Sequence, residues 1–431
     1  MRIIKSKSIP DKTNLLKHLL DWAKPDSTSC LLTSNGHTDP YGKFDILLGV
    51  GAKTSIHIKS NHAFSELSKY RAQVQDWLLG FMTYDLKNEV ENLQSANLDG
   101  LDFPDLYFFQ PLKLIRIIGN TIEFLYLPEV AADIEKDFEL IFNSSEEKEK
   151  VVENYTTPKV KVRFNKDAYC AQVDKMLDHI YRGDIYEANF CQEFYAESKI
   201  DPLKSFLHLN EISKAPFAAF LKIGSKYALC SSPERYLCKR KTKLISQPIK
   251  GTARRSNNAI EDLKLARALA QDPKERSENI MITDLVRNDL SKLALKGSVR
   301  VEELCKVYSF KQVHQMISTI TANIDPDTDP ITCIKNTYPM GSMTGAPKLS
   351  AMQIIEDLEN SKRGLYSGSI GYFEPNGDFD FNVVIRSLLY DAEKPYVSFT
   401  VGSAITAQAI PEKEYEECLL KAKAMRETLE A

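Results

Sequence analysis

The hydrophobic and polar positions of this 431-residue chain switch repeatedly between strand-like alternation and helical stripes. In the first third, 105–109, 113–118 and 122–127 are apolar enough for strands, and the short connectors between them predict antiparallel pairing. Helices are expected over 63–75 and 86–93. Further on, Asn165 is placed to cap a helix whose stripe includes Val173, Leu177 and Ile180. Strands are expected at 185–196, 216–222, 226–231 and 234–246, followed by helices over 258–271 and 275–290. Strands near 299–310 and 313–321, a helix from Pro347, strands at 367–374, 380–390 and 395–402, and a last helix over 411–429 complete the pattern. Many strands joined by short turns, with helices between them, predict an α+β fold with large antiparallel sheets rather than a doubly wound parallel sheet.

One stretch breaks the pattern: Asn143-Ser144-Ser145-Glu146-Glu147-Lys148-Glu149-Lys150 is polar and dense in charge. A linker is expected over 143–160, between an N-terminal region, 1–150, and a C-terminal region, 158–431. Apolar residues make up 43% of the chain and charged residues 27%, ordinary values for a soluble protein. The net charge of −3 and the scatter of Lys and Arg argue against a nucleic-acid or membrane-surface partner. No apolar run reaches the roughly 20 residues of a membrane span, and residues 1–12 do not read as a secretory signal. The eight cysteines show no C-x-x-C pair and no zinc spacing, which fits reduced thiols in a cytoplasmic protein.

Candidate chemistry begins at Lys250, in Gln247-Pro248-Ile249-Lys250-Gly251-Thr252. Pro248 and Gly251 mark a bending backbone, so Lys250 is expected at a rigid corner. Partly dried by Ile249, it is expected to have a depressed pKa suited to a nucleophile; a solvated lysine at a strand end is the plainer reading. Glu234, in Ser231-Ser232-Pro233-Glu234, lies at a turn that hairpin geometry can bring near Lys250. A carboxylate there can relay protons, or form an ordinary surface ion pair.

Two predicted helices carry acid pairs three residues apart, Glu275 with Glu278 and Glu414 with Glu417. That spacing puts both carboxylates of a pair on one face. Two such faces meeting would suit a hard cation such as Mg²⁺, although solvated helices often carry the same spacing. Thr344-Gly345-Ala346-Pro347-Lys348 opens a helix whose free N–H groups can take an anion, or simply be capped. Arg386, in the apolar run Val383-Val384-Ile385-Arg386-Ser387, wants a fixed anion from protein or ligand. Gly402-Ser403 ends a strand where backbone can approach a ligand closely, and His314 reads equally as a satisfied core side chain.

In this order, these segments resemble the chorismate-utilising enzymes: component I of anthranilate and aminodeoxychorismate synthases, with the isochorismate and salicylate synthases. The matches are 186–192, Ser232-Pro233-Glu234, 248–252, Glu278 with Met281-Ile282-Thr283-Asp284-Leu285-Val286-Arg287-Asn288-Asp289-Leu290, 344–348, Gly364-Leu365-Tyr366-Ser367-Gly368, Gly402-Ser403-Ala404 and 414–417. Fainter matches lie at 80–86 and 103–106. The resemblance implies a four-layer α/β/β/α fold with two large, mainly antiparallel, orthogonally packed sheets. Pro-Ile-Lys-Gly-Thr is the version carried by aminodeoxychorismate synthases, whereas the anthranilate and isochorismate branches have a small residue in place of Lys250. The resemblance therefore implies amination of chorismate at C4 to 4-amino-4-deoxychorismate, on the route to p-aminobenzoate and folate. Anthranilate synthase component I is the alternative, and a non-catalytic subunit with the same fold is a rival of another class.

By the same resemblance, Lys250 adds at C2 and Glu234 shuttles protons. Glu278 and Glu417 hold Mg²⁺, supported by Glu275 and Glu414. Thr252, Thr344, Tyr366, Arg386, Gly402, Ser403 and Lys421 bind substrate, and His314 lines the ring. At Glu187 the aminodeoxychorismate synthases usually carry Gln, and the water-adding branches carry Lys. Leu31-Leu32-Thr33-Ser34-Asn35 lacks the Glu of the tryptophan-inhibited pattern, so tryptophan feedback is not expected. No cysteine lies in a Gly-x-Cys-x-Gly elbow. A separate glutamine amidotransferase subunit is expected to supply ammonia, and a separate lyase to act on the product.

Overall fold

The computed structural model of the protein describes residues 1–59, 62–143, 157–311 and 313–431. Residues 144–156 of the expected linker lie outside the described residues. Among the described residues twenty strands are joined in one hydrogen-bonded network, and every ladder between them is antiparallel. The α+β class follows from that pairing, with helices packed over the strands.

Strands from either side of residue 150 share the network. Thr28–Thr33 pairs with Phe217–Ile223, and Leu78–Met82 pairs with Ser369–Phe373. Neither N-terminal strand is visible as alternation, because each is buried on nearly every residue and its sequence is a short apolar run. Two large apolar clusters form the core. One gathers Phe81, Phe108, Phe373 and Phe381, and the other Tyr169, Phe190, Phe194 and Phe399. Among the described residues no helix is long and apolar enough to cross a membrane.

Two expected strands are each divided. The run 234–246 is Arg235–Arg240 and Lys243–Gln247, with Lys241 at φ 56 in the turn. The run 380–390 is Phe379–Asn382 and Ser387–Asp391, and Arg386 at φ 54 stands in the break. Lys250 lies in the strand Ile249–Arg254, paired with Val313–Asn323, and the expected bend is there as a break at Pro248 and an irregularity between Ile249 and Thr252. Gly251 sits there at φ 94, a left-handed conformation that favours glycine.

The helix Pro273–Ser291 starts as its sequence dictates. Asp272 accepts from the Glu275 N–H at 3.0 Å, and Pro273 occupies the first turn. Asn279 then fastens the helix to the sheet, its side-chain amide donating to the Lys250 carbonyl at 3.2 Å and the Met316 carbonyl at 3.1 Å. The last helix, Pro411–Glu430, packs along the strand Tyr396–Thr406. Glu275 and Glu414 lie in the first turns of their helices, where the helix dipole favours negative charge.

Candidate active site

The two acid helices meet. Lys274 lies 3.8 Å from Glu278 and 3.8 Å from Glu414, so one ammonium joins the two helices. Glu275 and Glu417 sense each other's charge across the same junction. Ser403, on the neighbouring strand, donates its hydroxyl to Glu414. Glu275 also approaches Gly251: a Cβ there would stand 3.1 Å from its Oε2. The absence of a side chain at 251 thus lets the acid cluster sit against the lysine strand.

Lys250 projects into this cluster. Its Nζ lies 3.7 Å from Glu187, which is 1% exposed on the strand Glu187–Glu197. Burial pulls the Lys250 pKa down, but Glu187, Glu278, Glu234 and Glu417 together outweigh it and hold the ammonium above its ordinary value. The expected depressed pKa is therefore corrected: drying alone lowers a lysine, whereas these carboxylates hold it charged. Burial pushes Glu187 up against the opposing charge of Lys250. It pushes Glu234 and Glu278 to about 7. Glu234 is held at its turn by a 3.0 Å bond from the Val383 N–H to its carbonyl, with Ser342 and the Ile249 N–H beside its carboxylate.

Carboxylate oxygens are the donors a hard cation takes, and Glu278 Oε1 is buried without a hydrogen bond; the Lys274 ammonium shares the junction with them. Among the described residues no three His, Cys, Asp or Glu side chains are drawn together as metal ligands. Lys274 instead supplies positive charge between the two helices.

The expected substrate-binding residues separate into groups. Arg386 makes no ion pair among the described residues; burial lowers its pKa, opposed by Tyr366 and by the charge of Glu417, and its guanidinium lies 3.5 Å from the Lys421 carbonyl. Lys421, by contrast, is committed: it pairs with Glu417 at 2.6 Å and donates to the Gly402 carbonyl at 2.9 Å. Thr344 turns its hydroxyl back to the Gly341 carbonyl at 3.1 Å. The helix expected from Pro347 begins at Lys348, and Gly345 and Ala346 pair with the Glu187 strand. That short stretch is sheet edge, where the sequence suggested an anion-binding helix start. Thr252 is exposed. His314 is buried and engages Ser309 at 2.8 Å and Asp262 at 3.0 Å, which occupies both ring nitrogens.

Lys274, Asn279 and Ser342 were not singled out from the sequence. The i, i+4 spacing of Lys274 to Glu278 was a usable signal for the first. Ser342 and Asn279 gave none, because their partners come from distant segments of the chain.

A cavity of about 920 Å³ lies beside this cluster, lined by Ser34, Asp39, Tyr41, Phe44, Arg235 and Tyr372 among others. It meets the site through Pro233 and Ile249, neighbours of Glu234 and Lys250. The Thr33-Ser34 stretch that lacks the tryptophan-associated Glu forms part of its wall.

A family model described as chorismate binding enzyme matches residues 29–427. The aminodeoxychorismate synthase of Streptomyces griseus is 41% identical over 268 residues, 62% of this chain; the match spans 37% of that longer protein. Aminodeoxychorismate synthase component 1 of Escherichia coli is 30% identical over 429 residues, covering 93% of each chain. Anthranilate synthase component 1 of Thermus thermophilus is also 30% identical, over 359 residues, covering 82% of this chain and 77% of its own. Among solved structures, anthranilate synthase component I of Streptococcus pneumoniae superposes with a TM-score of 0.78 at 23% identity, covering 90% of this chain and 93% of its own.

Proposed function

We propose that this chain, which belongs to the chorismate binding enzyme family, converts chorismate and ammonia to 4-amino-4-deoxychorismate. The observation that carries the reading is Lys250, a lysine in Pro-Ile-Lys-Gly-Thr with its Nζ inside a ring of carboxylates. Relatives named for both aminodeoxychorismate and anthranilate synthesis lie at equal identity, so the lysine separates the two readings where overall likeness does not.

Lys250, as free amine, adds at C2 of chorismate while both ring double bonds shift and the C4 hydroxyl leaves. Ammonia then adds at C4, both double bonds shift back, and Lys250 is expelled. Two displacements replace one difficult substitution. Glu234, pushed to about 7 by burial, gives its proton to the departing hydroxyl. Arg386 and Tyr366 receive a substrate carboxylate, with Thr344, Gly402, Ser403 and Lys421 shaping that end of the pocket. Thr252 and His314 border it. Glu278 and Glu417, with Glu275 and Glu414 beside them, would hold Mg²⁺, which supplies a Lewis acid for the ring carboxylate. The ammonia comes from a separate glutamine amidotransferase subunit, and a separate lyase acts on the product.

The test incubates the protein with chorismate, Mg²⁺ and an ammonium salt. Product that yields p-aminobenzoate only after an added lyase is the expected result. Fluorescent anthranilate formed without lyase overturns the reading in favour of anthranilate synthesis. No consumption of chorismate favours a non-catalytic subunit.

A further inference from the structure

The strand Glu187–Glu197 loses a neighbour part-way along. Gly345 and Ala346 pair with Ala188 and Glu187, and the Asn189 N–H reaches the Thr344 carbonyl at 2.8 Å. Before Thr344 the chain is the single helical turn Gly341–Met343, so the pairing stops there. The Asn189 carbonyl and the Cys191 N–H are left facing the gap. Both residues are buried, where an unpaired peptide group is costly.

Two side chains from just past the helix Lys348–Leu358 stand in for the missing strand. Arg363 Nη2 donates to the Asn189 carbonyl at 2.7 Å, and Glu359 Oε1 accepts from the Cys191 N–H at 2.9 Å. The pair is bidentate, Nη2 to Oε1 at 2.6 Å and Nε to Oε2 at 3.0 Å. Arg363 Nη1 donates to the Met343 carbonyl at 2.7 Å.

These contacts lead to groups proposed above for the substrate carboxylate. Met343 precedes Thr344. Cys191 stands opposite Gly402, where a Cβ would lie 2.6 Å from its sulfur. The Arg363 carbonyl accepts from the Tyr366 N–H at 3.0 Å, and Cys191 Sγ lies 3.8 Å from the Tyr366 hydroxyl. Ser367 donates its N–H to the Val384 carbonyl at 2.9 Å, which joins this turn to the segment carrying Arg386.

We infer that Arg363 is a positioning residue for that end of the pocket, acting through Thr344, Tyr366 and Gly402. The assignment rests on the reading that these residues and Arg386 receive a carboxylate of chorismate. Arg363 is not itself the receiver, since its guanidinium is taken up by Glu359 and by backbone carbonyls. A lysine cannot replace it, because an ammonium lacks the planar fork that reaches all of these acceptors at once.

Arg363→Lys keeps the charge and loses the fork. With Mg²⁺ and an ammonium salt, KM for chorismate is expected to rise about 10-fold, with kcat within about 3-fold of the parent. A merely structural role predicts the reverse, since a smaller active fraction lowers apparent kcat and leaves KM alone. In an Arg386→Met background, Arg363→Lys should add less than about 3-fold to KM, because the contact it positions is already gone. Parental KM in Arg363→Lys, a fall in kcat alone, or full additivity with Arg386→Met overturns the inference. If Arg363→Lys does not fold, Glu359→Gln, which breaks the same fork, decides by the same readouts. If the parent does not turn chorismate over, Kd from equilibrium dialysis takes the place of KM. Arg386→Met alone separates the two claims. A parental KM there sinks the reading of the carboxylate site, and the inference with it; a raised KM there with a parental Arg363→Lys removes only the role of Arg363.

Discussion

Lys274, on the helix Pro273–Ser291, reaches Glu414 on the helix Pro411–Glu430 across 3.8 Å. It also lies 3.8 Å from Glu278 on its own helix. One ammonium thus stands where two acid faces converge, and it competes with any divalent cation for the same oxygens. Lys274→Met is therefore expected to tighten Mg²⁺ binding about 3- to 10-fold, roughly the 0.7–1.4 kcal/mol of removing one partly exposed competing charge. Isothermal titration of Mg²⁺ into the protein checks this; unchanged affinity would mean that Lys274 and the metal do not share the site.

Glu278→Gln and Glu417→Gln should each abolish most of the Mg²⁺ response. The expected signature is loss of Mg²⁺-dependent thermal stabilisation together with a fall in turnover of at least about 10²-fold. Parental stabilisation by Mg²⁺ in both variants would remove these carboxylates from metal binding.

Lys250→Ala should eliminate any covalent adduct with chorismate seen by intact-mass spectrometry, and lower turnover by about 10³-fold or more. An adduct that persists in this variant would place the nucleophile elsewhere.

Glu234 carries a pH prediction with a definite sign. Burial raises its folded pKa from 4.5 to about 7, so between these values the folded protein keeps a proton that the unfolded chain has released. Its contribution to stability is full below 4.5 and is lost as pH rises through 7, by up to about 3 kcal/mol. Glu234→Gln stays neutral at every pH. It should therefore raise the melting temperature relative to the parent at pH 8 and leave it nearly unchanged at pH 4. Calorimetry at the two pH values tests this, and equal shifts at both would contradict the assignment.

Arg386→Met should raise KM for chorismate about 10- to 100-fold, the loss of one charge-assisted contact, with a smaller effect on kcat. Steady-state kinetics separates the two. Unchanged KM would mean that the substrate carboxylate sits elsewhere.

Much of the fold was legible in the chain because most strands alternate or run apolar between polar turns. The elements that escaped have physical reasons. Leu78–Met82 is buried on every residue, so it leaves no alternation to read. The expected strand 380–390 breaks at Arg386 because its left-handed backbone turns the chain where the pattern of apolar residues stays continuous. Of the site, the paired acids were legible because i, i+3 spacing is a local property of a helix.

By itself the sequence determined the α+β class and the family, and it singled out Lys250, Glu234 and the two acid pairs as candidates. These depend on short-range spacing and on the residue types themselves. Only the tertiary structure decided which charges meet. Lys250 and Glu187 meet from strands that do not pair with each other, Lys421 is taken by Glu417, and Arg386 makes no ion pair among the described residues. Register and helix packing set those distances, and Coulomb energy depends on distance in space, whatever the separation along the chain.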